Sequence, residues 1–199
     1  MASVNSLAEE VTIPTPARTS LEEIVTAGRS IIEDDGVDGL TMQRVARTVG
    51  VRAPSLYKRV RSRDELVRFV VEEVARDLTE ALDAAVGTGD PLRDLRAMAD
   101  TLRAFAHAQP ATYDLLFAHL PEASQPNPDL LAHVSAPVLR IATALSGQHR
   151  ALEAARTVVA WAHGFISMEL TGAFRLGGDV DRAYAFGIER LGAALATTD

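Results

Sequence analysis

The stretch TMQRVARTVGVRAPSLYKRVRSR, residues 41–63, holds seven basic side chains and no acidic one, in a 199-residue chain of formal net charge −7. The seven are Arg44, Arg47, Arg52, Lys58, Arg59, Arg61 and Arg63; the residues before the stretch sum to −6 and those after it to −8. A solvated helix face normally mixes both signs, so a segment purged of one implies an anionic partner. Its apolar spacing says which partner. Val45, Ala46 and Val49 fall on one helical face and Gly50 breaks the run; after Pro54, Leu56 and Val60 open a second face at i, i+4 spacing. Two short helices joined by a tight glycine turn form a helix-turn-helix, the arrangement that lays a helix in the DNA major groove.

Outward from that stretch, the composition is that of a soluble globular protein, 47% apolar and 24% charged. With no cysteine, disulfides, thiol catalysis and cysteine-based zinc sites are excluded. Apolar runs are broken by Arg, Glu or His well short of a membrane span, and Glu9 and Glu10 stand where a signal peptide needs an apolar core. The expectation is a cytoplasmic protein with no membrane partner. Arginine outnumbers lysine 19 to 1, a coding bias without functional meaning.

Residues 1–18 show no helical period and read as a flexible arm. Ser20 with Glu23 forms a capping box that opens a first helix, with stripe Leu21, Ile24, Ala27, Ile31 and Ile32, ended by Gly36. Thr41 caps the second helix, the Pro54 region opens the third, and Ser62 with Glu65 reads as a second capping box opening a helix to about Ala85. Further helices are expected from Pro91 to about Gln109 and from Pro110 to near Leu120. After a proline-rich loop at 121–128, others follow from Pro128 to Leu145 (kinked at Pro137), from His149 to Phe174, and from Asp179 to near Ala196. No segment alternates with period two for long. The chain reads as all-α, about nine helices, without internal repeats.

By helical phase, Gln43, Arg44 and Arg47 lie on the outer face of the second helix, while Arg52, Ala53, Ser55, Tyr57, Lys58 and Arg59 surround the exposed start of the third. Gln pairs with adenine, Arg with guanine, and Ala53 suits a thymine methyl. Ser55, Lys58, Arg59 and Arg63 are placed for phosphates, which fix register without reading sequence. The helix starts at Thr41 and Ser62 add backbone N–H donors.

The run Gly39-Leu40-Thr41-Met42-Gln43-Arg44-Val45-Ala46, then Val49-Gly50-Val51, then Ser55-Leu56-Tyr57-Lys58-Arg59-Val60 and Asp64-Glu65-Leu66, resembles the N-terminal domain of the TetR family of bacterial transcriptional regulators over about residues 20–68. The resemblance implies a three-helix helix-turn-helix domain at 19–65 (motif about 42–61) and a C-terminal helical ligand-binding and dimerisation bundle at 66–199. At Gln43, Ala53, Tyr57 and Arg63 it implies DNA contacts and at Thr41 a cap; with the phase reading above, the expected DNA-contact set is Thr41, Gln43, Arg44, Arg52, Ala53, Ser55, Tyr57, Lys58, Arg59 and Arg63. Many relatives carry a phosphate-binding Ser or Thr at the position of Met42, a role that Met cannot take. Trp161-Ala162-His163-Gly164, followed by Phe165 and Glu169, resembles the Trp-His-Gly type of C-terminal domain.

The family implies dimerisation through the last two helices, for which Val159, His163, Ile166, Tyr184, Ile188, Leu191 and Leu195 are the candidates, with Gly187 and Gly192 allowing close approach. For a small lipophilic or aromatic effector the candidates are Leu102, Phe105, Tyr113, Phe117, Trp161 and Phe165. His107, His119 and His163 either orient that ligand or are ordinary core and surface histidines. Glu33-Asp34-Asp35 reads as a solvated helix end and Glu72-Glu73 as a solvated face. No metal spacing, Gly-rich phosphate loop or nucleophile–base pair is present, so neither cofactor nor enzymatic activity is expected. The expected function is a homodimeric repressor, released from a double-stranded, pseudo-palindromic DNA operator by a small molecule. The alternative is a constitutive or protein-controlled regulator without such an effector.

Overall fold

The computed structural model describes residues 19–196, so the arm expected at 1–18 lies outside the described residues. Among the described residues nine α-helices run in order: α1 Leu21–Asp35, α2 Met42–Thr48, α3 Ala53–Leu56, α4 Arg63–Ala85, α5 Pro91–Ala108, α6 Pro110–Phe117, α7 Pro128–Ser146, α8 Ala151–Leu170 and α9 Val180–Leu195. Short 3-10 turns occupy Val37–Gly39 and Glu122–Ser124, and no strand occurs among the described residues.

The sequence signals at the helix starts act as expected, with one change. Ser20 and Glu23 exchange both hydrogen bonds of a capping box, and Thr41 Oγ1 accepts from the Arg44 N–H at 3.2 Å. At Ser62 only half the box forms: Ser62 Oγ accepts from the Glu65 N–H at 3.0 Å, but the Glu65 carboxylate accepts from the Arg61 N–H at 2.6 Å. Phe174 falls beyond the end of α8 and Leu120 beyond α6, so both helices are shorter than their apolar runs suggest. Pro137 sits inside α7 and is buried.

Two apolar cores meet along α4. Its first half (Leu66, Val67, Val70, Val71, Val74) packs with α1–α3 and with Leu115 of α6. Its second half (Leu78, Leu82) packs with α5, α7, α8 and α9. The division between the two units drawn at residue 65 therefore cuts a helix that belongs to both. Burying a Val or Leu side chain contributes about 1.5–3 kcal/mol, so this shared helix holds the two cores firmly in one frame.

Polar contacts reinforce that junction. The Arg29 guanidinium on α1 reaches Glu73 at 3.1 Å and Asp77 at 2.5 Å on α4, and donates from Nε to Gln109 Oε1 at 3.0 Å. One turn further along α1, the Glu33 carboxylate accepts from the backbone N–H groups of Ala111 (3.1 Å) and Thr112 (3.0 Å) and from the Thr112 hydroxyl (2.9 Å). Gln109 makes no side-chain cap, so the first-turn donors of α6 are satisfied from α1 instead, where a carboxylate also suits the helix dipole. The solvated-end reading of Glu33 is thus corrected. So is that of Glu72-Glu73, since Glu72 accepts from the Asn127 N–H at 3.2 Å and Glu73 pairs with Arg29. A single sequence hides such pairings because the partners lie more than 40 residues away.

At the far end, Arg103 of α5 forms a two-pronged pair with Glu169 of α8 (2.8 and 2.5 Å) and reaches Asp181 of α9 at 2.6 Å. The Arg103 guanidinium, seconded by His107 at 3.2 Å, holds the Glu169 carboxyl below the usual carboxylate range, against the opposing effect of burial. A depressed folded-state pKa adds stability that is complete above the unfolded value of about 4.3 and is lost as pH falls through the folded value. Glu169→Gln is therefore expected to cost about 1–2 kcal/mol at pH 7, read as a melting temperature lower by a few degrees. The gap between variant and parent should close as both are melted at pH values descending below about 4; a gap independent of pH would contradict the pairing.

Candidate nucleic-acid interface and interior pocket

The basic segment folds as α2, a turn and the single helical turn α3. Gly50 adopts φ +73°, a left-handed conformation that a side chain disfavours, and the Val51 N–H returns to the Ala46 carbonyl at 2.9 Å. Val45, Ala46, Leu56 and Val60 are buried together, as their spacing requires. The opposite side of the pair carries the charge. Gln43, Arg47, Arg52, Ser55, Lys58 and Arg59 are exposed, and Tyr57 is 52% exposed without a ring contact, an unusual position for a large aromatic.

Ion pairing divides the seven cations into two groups. The side chains of Arg47, Arg52, Lys58, Arg59 and Arg61 meet no acidic partner among the described residues. Arg44 instead pairs with Asp35 at the end of α1, half-exposed. Arg63 turns inward: its Nε donates to the Leu40 carbonyl at 2.8 Å and a terminal nitrogen donates to the Val37 carbonyl. Arg63, expected at a phosphate, therefore serves first to fasten the 3-10 turn before α2 to the start of α4. Ala53 is half-buried against the first core, and Thr41 acts as the cap of α2. Arg47 and Arg61, outside the expected contact set, join the exposed basic face; the unbroken run of positive charge was the signal that included them.

Deeper in the chain, the six expected pocket residues do not converge on one cavity. Leu102 and Phe117 line an apolar cavity of about 170 Å³ enclosed by α4, α5, α7 and α8, with Leu78, Met98, Val138 and Val158. Tyr113 is fully buried behind it, and Phe105 packs where the two cores touch. Trp161 and Phe165, four residues apart on α8, face α9 instead and cluster with Tyr184 at ring separations of 5.4 and 5.1 Å.

His163 joins the first group. Its ring stacks on Phe117 at 3.9 Å, and Nδ1 lies 3.2 Å from the Tyr113 hydroxyl. Burial pushes the Tyr113 phenol far above its ordinary range, so it keeps its proton. The Tyr113 hydroxyl and Nδ1 share this one hydrogen bond; with the phenol as donor, the ring presents an N–H at Nε2.

Three of the seven expected dimer residues require correction, because the chain itself buries them. Ile166, Tyr184 and Ile188 are at most 1% exposed within the single chain, and Leu191 and Leu195 pack on the same core. Val159 and His163 line the α7–α8 groove. A side chain on Gly187 would overlap the Trp161 ring, and one on Gly192 would meet Leu95 at 2.9 Å. These glycines bring α9 onto α8 and α5 of its own chain. The outward faces are different residues: Thr157, Ala160, Gly164 and Met168 on α8, and Ala183, Phe186, Arg190 and Ala193 on α9, with Phe186 62% exposed.

No group of three or more His, Asp or Glu residues is arranged for a metal, and no single helix is long and apolar enough to cross a membrane, among the described residues.

Comparison with known proteins places this geometry. Residues 24–70 match the family described as bacterial regulatory proteins, tetR family, and residues 95–191 match the tetracycline repressor-like C-terminal domain. That description does not extend to the finer Trp-His-Gly type. The chain is 32% identical over 163 residues to the HTH-type transcriptional regulator Rv0681 of Mycobacterium tuberculosis, covering 79% of this chain and 73% of that relative. A protein of unknown function from Rhodococcus sp. RHA1 superposes with a TM-score of 0.77 at 24% identity, over 92% of this chain and 99% of the other. A TetR variant from Acinetobacter baumannii AYE, in complex with minocycline, gives a TM-score of 0.67 at 19% identity, over 90% and 99%. At those identities the two structures show the shared fold.

The division of the cations generates a test. Arg59→Ala is expected to leave the melting temperature unchanged and to lower the slope of log affinity for DNA against log salt by about 1. Arg63→Ala is expected to cost about 1–3 kcal/mol of stability, because two carbonyls lose a charged donor. Thermal melts and salt-dependent DNA titrations of both variants separate the two roles; equal melting temperatures would refute the structural one.

Proposed function

The chain belongs to the TetR family of bacterial transcriptional regulators, which are not enzymes, and from that premise we propose a homodimeric repressor that a small lipophilic or aromatic effector releases from a pseudo-palindromic DNA operator. The observation that carries this reading is the set of five cations without an acidic partner among the described residues, in the same short motif as exposed Tyr57, on a protein whose remainder is acidic. Free guanidinium and ammonium groups gain by replacing phosphate counterions, whereas the acidic body is repelled, so one face docks. Gln43, Ala53 and Tyr57 are the proposed readers of base edges. Arg47, Ser55, Lys58, Arg59 and Arg61 are the proposed phosphate ligands. We read the place of action as the cytoplasm, where bacterial DNA lies, and the C-terminal domain as the Trp-His-Gly type.

A twofold dimer presents two such faces to half-sites one or more helical turns apart. The outward stripes of α8 and α9 support that assembly: small residues permit close helix approach, and Phe186 with Met168 offers apolar side chains for it to bury. The interior cavity supports the effector. Phe117, one of its walls, ends α6, and the opposite end of α6 is capped by Glu33 of α1. A ligand that shifts Phe117 therefore acts on a short rigid helix whose other end is bonded to the DNA-binding unit. Coupling requires only that the ligand favour the arrangement in which the two basic faces no longer match the operator spacing.

A gel-shift titration on the chain's own upstream DNA tests the reading. The parent protein is expected to form a specific, salt-sensitive complex, and the double variant Tyr57→Ala, Arg59→Ala to bind it at least roughly tenfold more weakly. Phe186→Glu is expected to elute as a monomer in size-exclusion chromatography and to lose operator binding. An undiminished complex from either variant, or none from the parent, would sink the proposal.

A further inference from the structure

We infer that the pocket takes an amphiphile with an apolar tail and a single anionic head, such as a medium-chain carboxylate. The inference rests on the effector reading above and names the ligand class. No charged residue lines the inner cavity of about 170 Å³. An outer groove of about 480 Å³ between α7 and α8 shares Phe117, Ser135, Val138 and Val159 with it, so tail space and entrance are continuous. That groove lies within the roughly 300–1,000 Å³ of small-molecule sites.

The polar groups of the entrance all favour one sign. Arg156 is the sole charged side chain of the groove, is exposed, and forms no ion pair with a described residue. His163 lies two helical turns further on the same face of α8. Its Nδ1 is engaged by the Tyr113 hydroxyl, and its Nε2, which presents an N–H when the phenol donates, meets no partner among the described residues. The Ser135 hydroxyl donates to the Leu131 carbonyl at 2.9 Å and so adds no free donor. A head between Arg156 and His163 thus meets a cation and an N–H donor, and no carboxylate lines either space. An acceptor-only anion satisfies both groups, whereas a cationic head would enter without a counter-charge. Phe117, stacked on His163 and 40% exposed, stands between groove and cavity, so the tail passes it to reach the interior.

Calorimetric titration of the full chain with decanoate, decan-1-ol and decyltrimethylammonium tests the class. Decanoate is expected to bind, the alcohol roughly tenfold more weakly, and the ammonium compound not at all. Arg156→Glu, at an exposed position, should keep its helicity and melting temperature and lose decanoate affinity by roughly tenfold or more. Val138→Trp, which fills the shared wall, should abolish binding. Equal affinity for the three compounds, no binding of decanoate, or indifference to Arg156→Glu would overturn the inference. Repeating the titration on the DNA complex separates the two readings. Decanoate that binds without releasing DNA supports the ligand class and refutes effector release. Release by decan-1-ol but not decanoate supports effector release and refutes the class.

Discussion

The carboxylate of Glu33 at the start of α6, with Arg29 one turn earlier on α1, is the contact on which the rest of the architecture depends. A helix as short as α6 has little stability of its own, and its first-turn donors need acceptors that the local sequence does not supply. Glu33 supplies them from the other side of the fold. Arg29 binds two carboxylates on α4 and the Gln109 amide at the α5–α6 junction. The orientation of the basic face is thereby tied to the helices that enclose the pocket, by charged hydrogen bonds stronger than neutral ones.

A second constraint is the sorting of charge. Within the basic segment, two arginines have structural partners and five cations meet none among the described residues. The paired ones sit where α2 joins α1 and α4, so they brace the motif from behind. The other five are exposed, as is Tyr57, and their mutual repulsion is tolerable because water and an anionic partner both relieve it. An interior that resolves its polar groups equally well elsewhere makes this imbalance informative: no buried side-chain nitrogen or oxygen is left without a partner among the described residues.

The last two helices show how a strongly apolar sequence is divided between inside and outside. Trp161, Phe165 and Tyr184 form one aromatic cluster, possible because Gly187 leaves room for the indole. Their large faces are used up within the chain, so the apolar side chains left outside on these helices are mostly small, with Leu152, Met168 and Phe186 the large exceptions. The pocket arises on the other flank of α8, among side chains of α4, α5, α6 and α7. Phe117 and His163 close that gap with a stacked pair instead of a packed aliphatic layer.

The sequence by itself determined the all-helical class, the helix-turn-helix and nearly every helix start. Those depend on short-range patterns: apolar period, caps such as Ser20, Thr41 and Ser62, and a glycine at the turn. It also marked the basic face, because charge run and exposure follow the same helical phase. Only the tertiary structure decided which way the apolar residues of α8 and α9 point, since helices that are apolar around most of their circumference have no single inward phase. It likewise decided that Arg63 faces backbone carbonyls, that Glu33 caps a helix 78 residues away, and that Trp161 and Phe165 belong to the core while Leu102 and Phe117 line the cavity. Each of these depends on partners distant in sequence, and a contact between distant residues leaves no periodicity to read. That is why Thr41–Arg63 was legible as a basic helix-turn-helix, while the division of its seven cations into brace and docking face was not.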